Sequence, residues 1–274
     1  MSTQQNIPSF DIELEELNQF IMSLVEDYHT EKINSWDDLD EKVKAFFTYE
    51  RMEDIEAKAP GWKKMASYSD GITLTHVTCV FLGMFMLPEF LALSAEHRQI
   101  AKWIILFHDI DKFHIRGIKD TMHAFNSAVV AANTLPGLGF PVHVSYHDLI
   151  SSWSSFTRQA YVPSNNDTAP KPDNQKLPKI LSEIDQLFGE NAPAALITKT
   201  VLLHLSLDAD KNYPTPAPLT ETEIQQIINP SLLPLLKVMM LADNDGWALF
   251  EPEFREQQNK DVVKAFERVI ELIS

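Results

Sequence analysis

The sequence is short of cysteine, glycine and basic residues. Its one cysteine, Cys79, excludes an intrachain disulfide framework and a cysteine-rich zinc module. Eight glycines in 274 residues are few for a Rossmann or barrel protein, and this scarcity favours helices. Lysine and arginine number 23 against 39 aspartates and glutamates, so the net charge of −16 argues against a general nucleic-acid binder.

The sequence also lacks a hydrophobic run long enough to span a bilayer. Its most apolar stretch, Val77 to Leu87, covers about a dozen residues, whereas a transmembrane helix needs about 20. Residues 1–17 are polar and acidic, unlike a signal or transit peptide. We therefore expect a cytoplasmic protein that binds neither nucleic acid nor a membrane.

Apolar residues recur with helical spacing along most of the chain. Ser35 followed by Asp38 has the pattern of a capping box at a helix N-terminus. The proline-rich stretch 161–178 predicts a long loop, and no segment predicts a strand. The predicted fold class is therefore all-α. Helices are predicted over residues 11–28, 35–47, 50–59, 74–87, 97–109, 121–134, 179–188, 193–207, 221–228, 232–242 and 260–273.

Histidine and aspartate side chains interrupt three strongly apolar segments. His108 and Asp109 end a mostly apolar run, His76 lies in LTHVTCVFLGMF, and Asp243 closes LLPLLKVMMLAD. A buried imidazole beside a carboxylate is either a hydrogen-bonded pair or a set of nitrogen and oxygen ligands for one divalent metal. A buried carboxylate such as Asp243 needs a cation, a donor or a proton. One metal site would satisfy all of these groups.

These residues carry a resemblance to a known family. The order His76, His108-Asp109, Asp243 resembles the H…HD…D signature of the HD-domain superfamily of metal-dependent phosphohydrolases. The segment HDIDK resembles the HDIGK motif that is frequent in the family, with Asp111 in place of Gly. The segment LADNDG resembles the family's C-terminal Ala-Asp-x-x-Gly motif. The resemblance implies an HD-domain-like helical bundle.

The resemblance also implies a domain organisation. Residues 70–250 would form the metal-binding helical domain, interrupted by an irregular, proline-rich insertion at about 142–192. The resemblance does not explain residues 1–69 or the stretch 161–178. We expect residues 1–69 to be a helical extension that packs on this core, residues 251–274 to form a C-terminal helix, and the stretch 161–178 to be a mobile lid over the substrate.

Two further histidines are implied as ligands of a second metal. His123 follows the doublet by 15 residues and opens a small-residue helix, as the family's next ligand does. The family's fifth ligand comes near the end of a helix that begins after a Leu-Gly-x-Pro turn, and LGFP is present at 138–141. If residues 142–192 are an insertion, His204 takes this role. The alternative is His147.

The residues after the doublet are candidates for substrate contact. Lys112, by the resemblance, would contact a substrate phosphate. Its neighbours His114, Arg116 and Lys119 form a basic loop that either attracts phosphate or neutralises local acids in solvent. Asp111 is either a partner of a ligand histidine or proton acceptor, or a surface residue.

The function implied is metal-dependent hydrolysis of a nucleotide or another small phosphomonoester or phosphodiester. Asp109 and Lys112 would be the catalytic residues. One or two divalent ions (Mn, Fe, Ni, Co, Zn or Mg) would lower the pKa of a bound water. Two alternatives share these ligands: a di-iron oxygenase similar to myo-inositol oxygenase, and a non-catalytic ligand-binding module. The implied metal ligands are His76, His108, Asp109, His123, His204 and Asp243.

Overall fold

The computed structural model describes residues 7–67, 71–113, 120–164, 169–209 and 215–274. Helices account for most of these residues, so the prediction of an all-α fold is confirmed. The α-helices among the described residues are α1 (Phe10–Glu13), α2 (Glu15–His29), α3 (Trp36–Phe46), α4 (Tyr49–Lys58), α5 (Trp62–Ala66), α6 (Ile72–Met86), α7 (Pro88–Leu91), α8 (Ala95–Phe107), α9 (His123–Thr134), α10 (Tyr146–Arg158), α11 (Leu177–Phe188), α12 (Pro193–Leu203), α13 (Glu221–Ile227), α14 (Leu233–Ala248) and α15 (Pro252–Ile273).

One small sheet and three 3₁₀ turns complete the described structure. Strand β1 (Tyr161–Val162) pairs antiparallel with β2 (Lys171–Pro172), so the prediction that no strand forms is wrong for these four residues. Residues 165–168, inside the predicted loop and lid, lie outside the described residues. The 3₁₀ turns are Leu135–Leu138, Asn174–Lys176 and Pro230–Leu232.

Two buried helices, α6 and α14, form the centre of the fold. Helix α6 is buried on all sides from Thr73 to Met84, and its most extensive contact is with α14. Glycines make the contact close: a Cβ added at Gly83 would lie 2.4 Å from the Cβ of Asp245. Helix α12 packs against α8, α9 and α14. These contacts bring the segments with the predicted ligands to one side of the core.

The N-terminal helices pack on this core. Helices α2 and α3 contact α6, and α1 contacts α8. Thr75 on α6 donates a hydrogen bond to Oδ1 of Asp40 on α3 at 2.6 Å. The ring of Phe10 lies 5.6 Å from that of Phe81 and 5.2 Å from that of Trp103, measured between centroids. The helices of residues 7–67 therefore cover parts of α6 and α8.

The segment 142–192, predicted as an irregular insertion, contains α11, which corresponds to the helix predicted over 179–188, and also α10, which was not predicted. The buried side chains of α10 include Tyr146, Ile150 and Trp153, at helical spacing, and the helix packs against α9 and α11. Trp153 Nε1 donates to the carbonyl oxygen of Ile180 at 3.2 Å. Four serines, at positions 151, 152, 154 and 155, stand on either side of Trp153, and they obscure the apolar pattern in the sequence.

Two helices extend beyond their predicted ends. Helix α14 continues past Asp243 to Ala248, and α15 begins at Pro252 instead of residue 260. The extensions meet in a buried ion pair, in which Arg255 donates from Nε and Nη2 to the two carboxylate oxygens of Asp245 at 2.6 and 2.7 Å. A bidentate pair of this kind holds the two helix ends together.

The apolar helices α6 and α12 are short and lie inside the fold. Among the described residues, no single helix combines the length and hydropathy needed to cross a bilayer. Glu221–Ile227 and Pro230–Ala248 meet that criterion only as a pair, with an angle of 89° between them.

Candidate metal centre

The structure brings all six predicted ligand residues into one region. His76 lies on α6 and Asp243 on α14, while His123 is the first residue of α9. His108 and Asp109 directly follow α8, and His204 directly follows α12. The four histidines and Asp109 are at most 4% exposed, and the side chain of Asp243 is 26% exposed. The ligands therefore come from five different segments of the chain.

The six side chains form two groups of three, in each of which one ligand atom per residue lies within 4.8 Å of the others. We call them the His76 group and the Asp109 group. The His76 group consists of His76, His108 and Asp243. The Asp109 group consists of Asp109, His123 and His204.

Asp109 lies between the two groups. Its Oδ2 is 3.6 Å from Nε2 of His76 and 3.5 Å from Nε2 of His108. Its Oδ1 is 3.2 Å from Nε2 of His123, on the other side. One oxygen therefore faces each group, as in a carboxylate that bridges two cations.

Three of the histidines are oriented by their own backbone. In each, Nδ1 lies 2.7–2.8 Å from the carbonyl oxygen of the residue three positions earlier. Because a carbonyl can only accept, Nδ1 carries the proton and Nε2 keeps its lone pair. This tautomer is the one that leaves Nε2 available to a metal. The pairs are His108 with Ile105, His123 with Asp120, and His204 with Val201.

His76 is held differently, by contacts with α14. Its ring stacks on the indole of Trp247, with 4.2 Å between centroids and 17° between planes. Trp247 stacks in turn on Trp36, at 5.5 Å and 7°. A Cβ added at Gly246 would lie 2.6 Å from Cε1 of His76, so glycine is needed for this approach. The orientation of His76 therefore depends on how α6 and α14 pack.

Several buried polar atoms of the centre have no hydrogen-bond partner among the described residues. They include Nε2 of His76, His108 and His204, and Oδ1 of Asp109. Nε2 of His76 lies 3.1 Å from Oδ1 of Asp243, but not in hydrogen-bonding geometry. Buried polar groups without partners are costly, and clustered nitrogen and oxygen donors suit divalent transition metals. The residues present therefore fit one or two divalent cations.

The protonation states also fit cation binding. Burial lowers the pKa of His108 to about 4 and that of His123 to about 3, so both imidazoles are neutral at pH 7. Burial raises the pKa of Asp109, but Lys112 and the surrounding imidazoles outweigh it and hold that pKa well below its usual value. Burial also raises the pKa of Asp243, and the contact with His76 outweighs it. Neutral histidines and charged carboxylates are what metal binding requires.

Lys112 and Asp111 have separate partners. Nζ of Lys112 lies 2.6 Å from Oδ2 of Asp109, and the Lys112 side chain is 29% exposed. Asp111 pairs with Nζ of Lys64 at 3.1 Å and with Nη1 of Arg158 at 2.9 Å. Asp111 therefore forms ion pairs with two basic side chains at the edge of the centre. It does not serve as the partner of a ligand histidine that the sequence offered as one possibility.

Other candidates from the sequence lie outside the two groups. His147 is exposed on α10, next to exposed Asp148, and belongs to neither group. His114, Arg116 and Lys119 lie outside the described residues.

Sequence reasoning missed three residues beside the centre. Trp247 follows Asp243 by four residues on one helix, so helical spacing is a signal that finds it. Lys64 and Arg158 each lie 47 residues from Asp111 along the chain, and no local pattern connects them to it.

Two cavities that the described residues form lie elsewhere. One of about 610 Å³ is bordered by α14 and α15, and one of about 470 Å³ by α11, α12 and α13. None of the six ligand residues lines either cavity. The converging donor atoms, not the cavity volumes, therefore mark the candidate site.

Comparisons with known proteins add no independent assignment. No family model, no curated protein and no solved structure matches the chain. The resemblance to the HD-domain superfamily therefore stays a prediction from the motifs.

Proposed function

We propose that the protein is a cytoplasmic, metal-dependent phosphohydrolase of the HD type that acts on a nucleotide or another small phosphoester. The observation that carries the proposal is the pair of three-residue groups, with Asp109, a member of one group, facing histidines of both. Their buried Nε2 and carboxylate oxygen atoms face one another without hydrogen-bond partners among the described residues. A cluster with this chemistry is explained by bound cations.

Each group would hold one divalent cation, of Mn, Fe, Ni, Co, Zn or Mg, and Asp109 would be shared. When bound, the cations would supply Lewis acidity toward a phosphoryl oxygen and lower the pKa of a bound water. The fixed Nδ1 contacts of His108, His123 and His204 keep the ligand nitrogens aimed before a cation arrives. The protein's own contribution is therefore a preorganised donor set.

Lys112 would orient the substrate. Its ammonium group carries three donors, and one of them is directed at Oδ2 of Asp109 at 2.6 Å. Its side chain is 29% exposed, so the group lies between the buried centre and the solvent. A phosphate oxygen that approaches the centre would meet this positive charge.

The charges near the centre make phosphate binding depend on cations. Among the described residues near the centre, the four carboxylates of Asp109, Asp111, Asp120 and Asp243 outnumber the three cationic side chains of Lys64, Lys112 and Arg158. Counted over these seven residues, the charge is negative without bound metal, which disfavours phosphate, and positive with one or two divalent cations. We therefore expect no turnover by the metal-free protein.

The test is hydrolysis by protein stripped with a chelator and reloaded with each metal in turn. Released phosphate is measured on a panel of nucleotides and small phosphoesters. We expect turnover that needs metal and is lost in H108A/D109A. The matched control is H147A/D148A, because His147 and Asp148 form a second, exposed His-Asp doublet on α10. Absence of hydrolysis by every loaded form would contradict the proposal.

The same preparations separate the two alternatives. Near-stoichiometric paired iron with oxygen uptake, and no phosphate release, would identify an oxygenase. Tight nucleotide binding without product, with every metal, would identify a binding module.

A further inference from the structure

Two tryptophans form a pair of nearly parallel rings beside the candidate metal centre. Trp247 lies on α14, and Trp36 is the first residue of α3. Their ring centroids are 5.5 Å apart, with 7° between the planes. We call Trp36 and Trp247 the tryptophan pair. The pair therefore presents two indole rings in almost the same orientation.

The tryptophan pair is in direct contact with a metal ligand. The imidazole of His76 stacks on the indole of Trp247, with 4.2 Å between centroids. Trp247 also follows Asp243 by four residues on α14, so the two share a helix face. Two of the three residues of the His76 group are therefore neighbours of Trp247.

Solvent reaches the centre on this same face of α14. Five of the six ligand residues are at most 4% exposed, whereas the side chain of Asp243 is 26% exposed. Trp247, one turn further along α14, is 51% exposed. A molecule that approaches the His76 group past Asp243 would therefore meet the indole of Trp247.

Packing explains only part of this arrangement. Contact with the ring of His76 needs one face of the indole, and a fully buried ring would supply it. A half-exposed indole instead leaves apolar surface in water, which is unfavourable. Planar rings, nucleobases among them, stack on exposed aromatic side chains, so two parallel indoles beside a predicted phosphate site suit a ring of the substrate.

We propose that the tryptophan pair binds a planar aromatic ring of the substrate by stacking, the ring being a nucleobase or the aryl group of a phosphoester. The inference rests on the proposed function, because the metal centre and Lys112 would take the phosphoryl group. Trp36 and Trp247 would then determine specificity. Phosphoesters that carry an aromatic ring would be preferred to those of aliphatic alcohols.

The test uses phosphonates, which are not hydrolysed, on the metal-loaded full chain. Methylphosphonate measures binding by the centre without a ring. Phenylphosphonate adds a planar ring, and cyclohexylphosphonate adds an apolar ring of similar size that is not planar. The isosteric phosphonate of AMP adds a nucleobase. Calorimetry gives the Kd of each probe.

The variants change one ring at a time. W36L and W247L replace an indole with an apolar side chain, and W247F keeps an aromatic ring. Metal is supplied in excess, because Trp247 also orients His76. The matched control is Y49L, because Tyr49 is an aromatic residue that is 71% exposed on α4, a helix without ligand residues.

We expect the wild type to bind phenylphosphonate more tightly than cyclohexylphosphonate, because stacking needs a flat ring. W247L should reduce the preference for phenylphosphonate over methylphosphonate about tenfold, and W36L by a smaller factor. W36L should leave methylphosphonate binding unchanged. W247F should keep most of the preference, and Y49L all of it. The tighter of the phenyl and AMP probes identifies the ring as an aryl group or a nucleobase.

The inference is overturned if phenylphosphonate and cyclohexylphosphonate bind equally, or if W36L and W247L both keep the wild-type preference. Failure of both aromatic probes to bind would overturn it as well. Because the probes are inert, the result is independent of turnover. A ring preference lost in W247L, in a protein that hydrolyses nothing, would contradict the proposed function alone. Hydrolysis without any ring preference would contradict the role of the tryptophan pair alone.

Discussion

The two halves of the candidate centre differ in how they orient one of their histidines. In the Asp109 group, His123 and His204 each donate from Nδ1 to a carbonyl oxygen three residues earlier. In the His76 group, His108 is held in the same way, but His76 has no such bond among the described residues and is held by Trp247 and Gly246 on another helix. One half is therefore set by local backbone geometry alone, and the other depends on helix packing as well.

This difference predicts different sensitivities. A substitution on α14 should disturb the His76 group and leave the Asp109 group intact. Asp109 belongs to the Asp109 group and its Oδ2 also faces the His76 group, so its loss should affect both groups. The following changes run from the largest expected effect to the smallest.

Asp109→Asn should have the largest effect. A neutral amide cannot bind two cations as a carboxylate does. It also removes the negative charge that lies 2.6 Å from Nζ of Lys112. We expect metal affinity to fall at least about 100-fold in both groups. His204→Gln should remove metal from the Asp109 group alone. Elemental mass spectrometry measures both variants, and retention of all bound metal by the Asn variant would refute a bridging Asp109.

Gly246→Ala should act through packing. The added Cβ would lie 2.5 Å from Cγ2 of Val80 and 2.6 Å from Cε1 of His76, so α6 and α14 must move apart. We expect the free energy of unfolding to fall by about 1–3 kcal/mol, as in other overpacked cores. Denaturant titration measures it. The control is Gly137→Ala, because nothing lies within 4 Å of a Cβ there; equal stability of the two variants would contradict the account.

Trp247→Ala should have a smaller effect, confined to the His76 group. Without the stacked indole, the ring of His76 loses the contact that orients it, since its Nδ1 has no partner among the described residues. We expect about tenfold weaker binding of the cation in that group. Trp247→Phe keeps an aromatic face and should restore most of the affinity. Metal titration measures the affinity of both variants. Equal affinities of Trp247→Ala and Trp247→Phe would contradict the positioning of His76 by stacking.

The sequence predicted the fold class and the residues that converge. His76, His108 and Asp243 could be predicted because each is a polar side chain in or at the end of a strongly apolar segment. The structure puts His204, and not His147, with the other ligands. That choice depended on the family resemblance, which puts the fifth ligand near the end of a helix: His204 directly follows α12, whereas His147 is near the start of α10.

Features that depend on distant contacts were missed. Helix α10 was not predicted because four serines on either side of Trp153 obscure the spacing of its buried residues. The continuation of α14 past Asp243 is stabilised by the ion pair of Asp245 with Arg255 on α15, which no local pattern reveals. The stacking of Trp247 on Trp36 likewise joins residues far apart in the chain. Helical spacing identifies the residues that share a helix face, but it does not identify the residues of other helices that pack against that face.

The most direct test of the account is the metal content of freshly purified protein, by elemental mass spectrometry. We expect one or two divalent ions per chain in the wild type and in H147A/D148A, and none in H108A/D109A, with helical circular dichroism preserved in all three. Wild-type protein that holds no metal after incubation with Mn, Fe and Mg would contradict a metal centre at Asp109. Equal metal content in H108A/D109A and the wild type would contradict it as well.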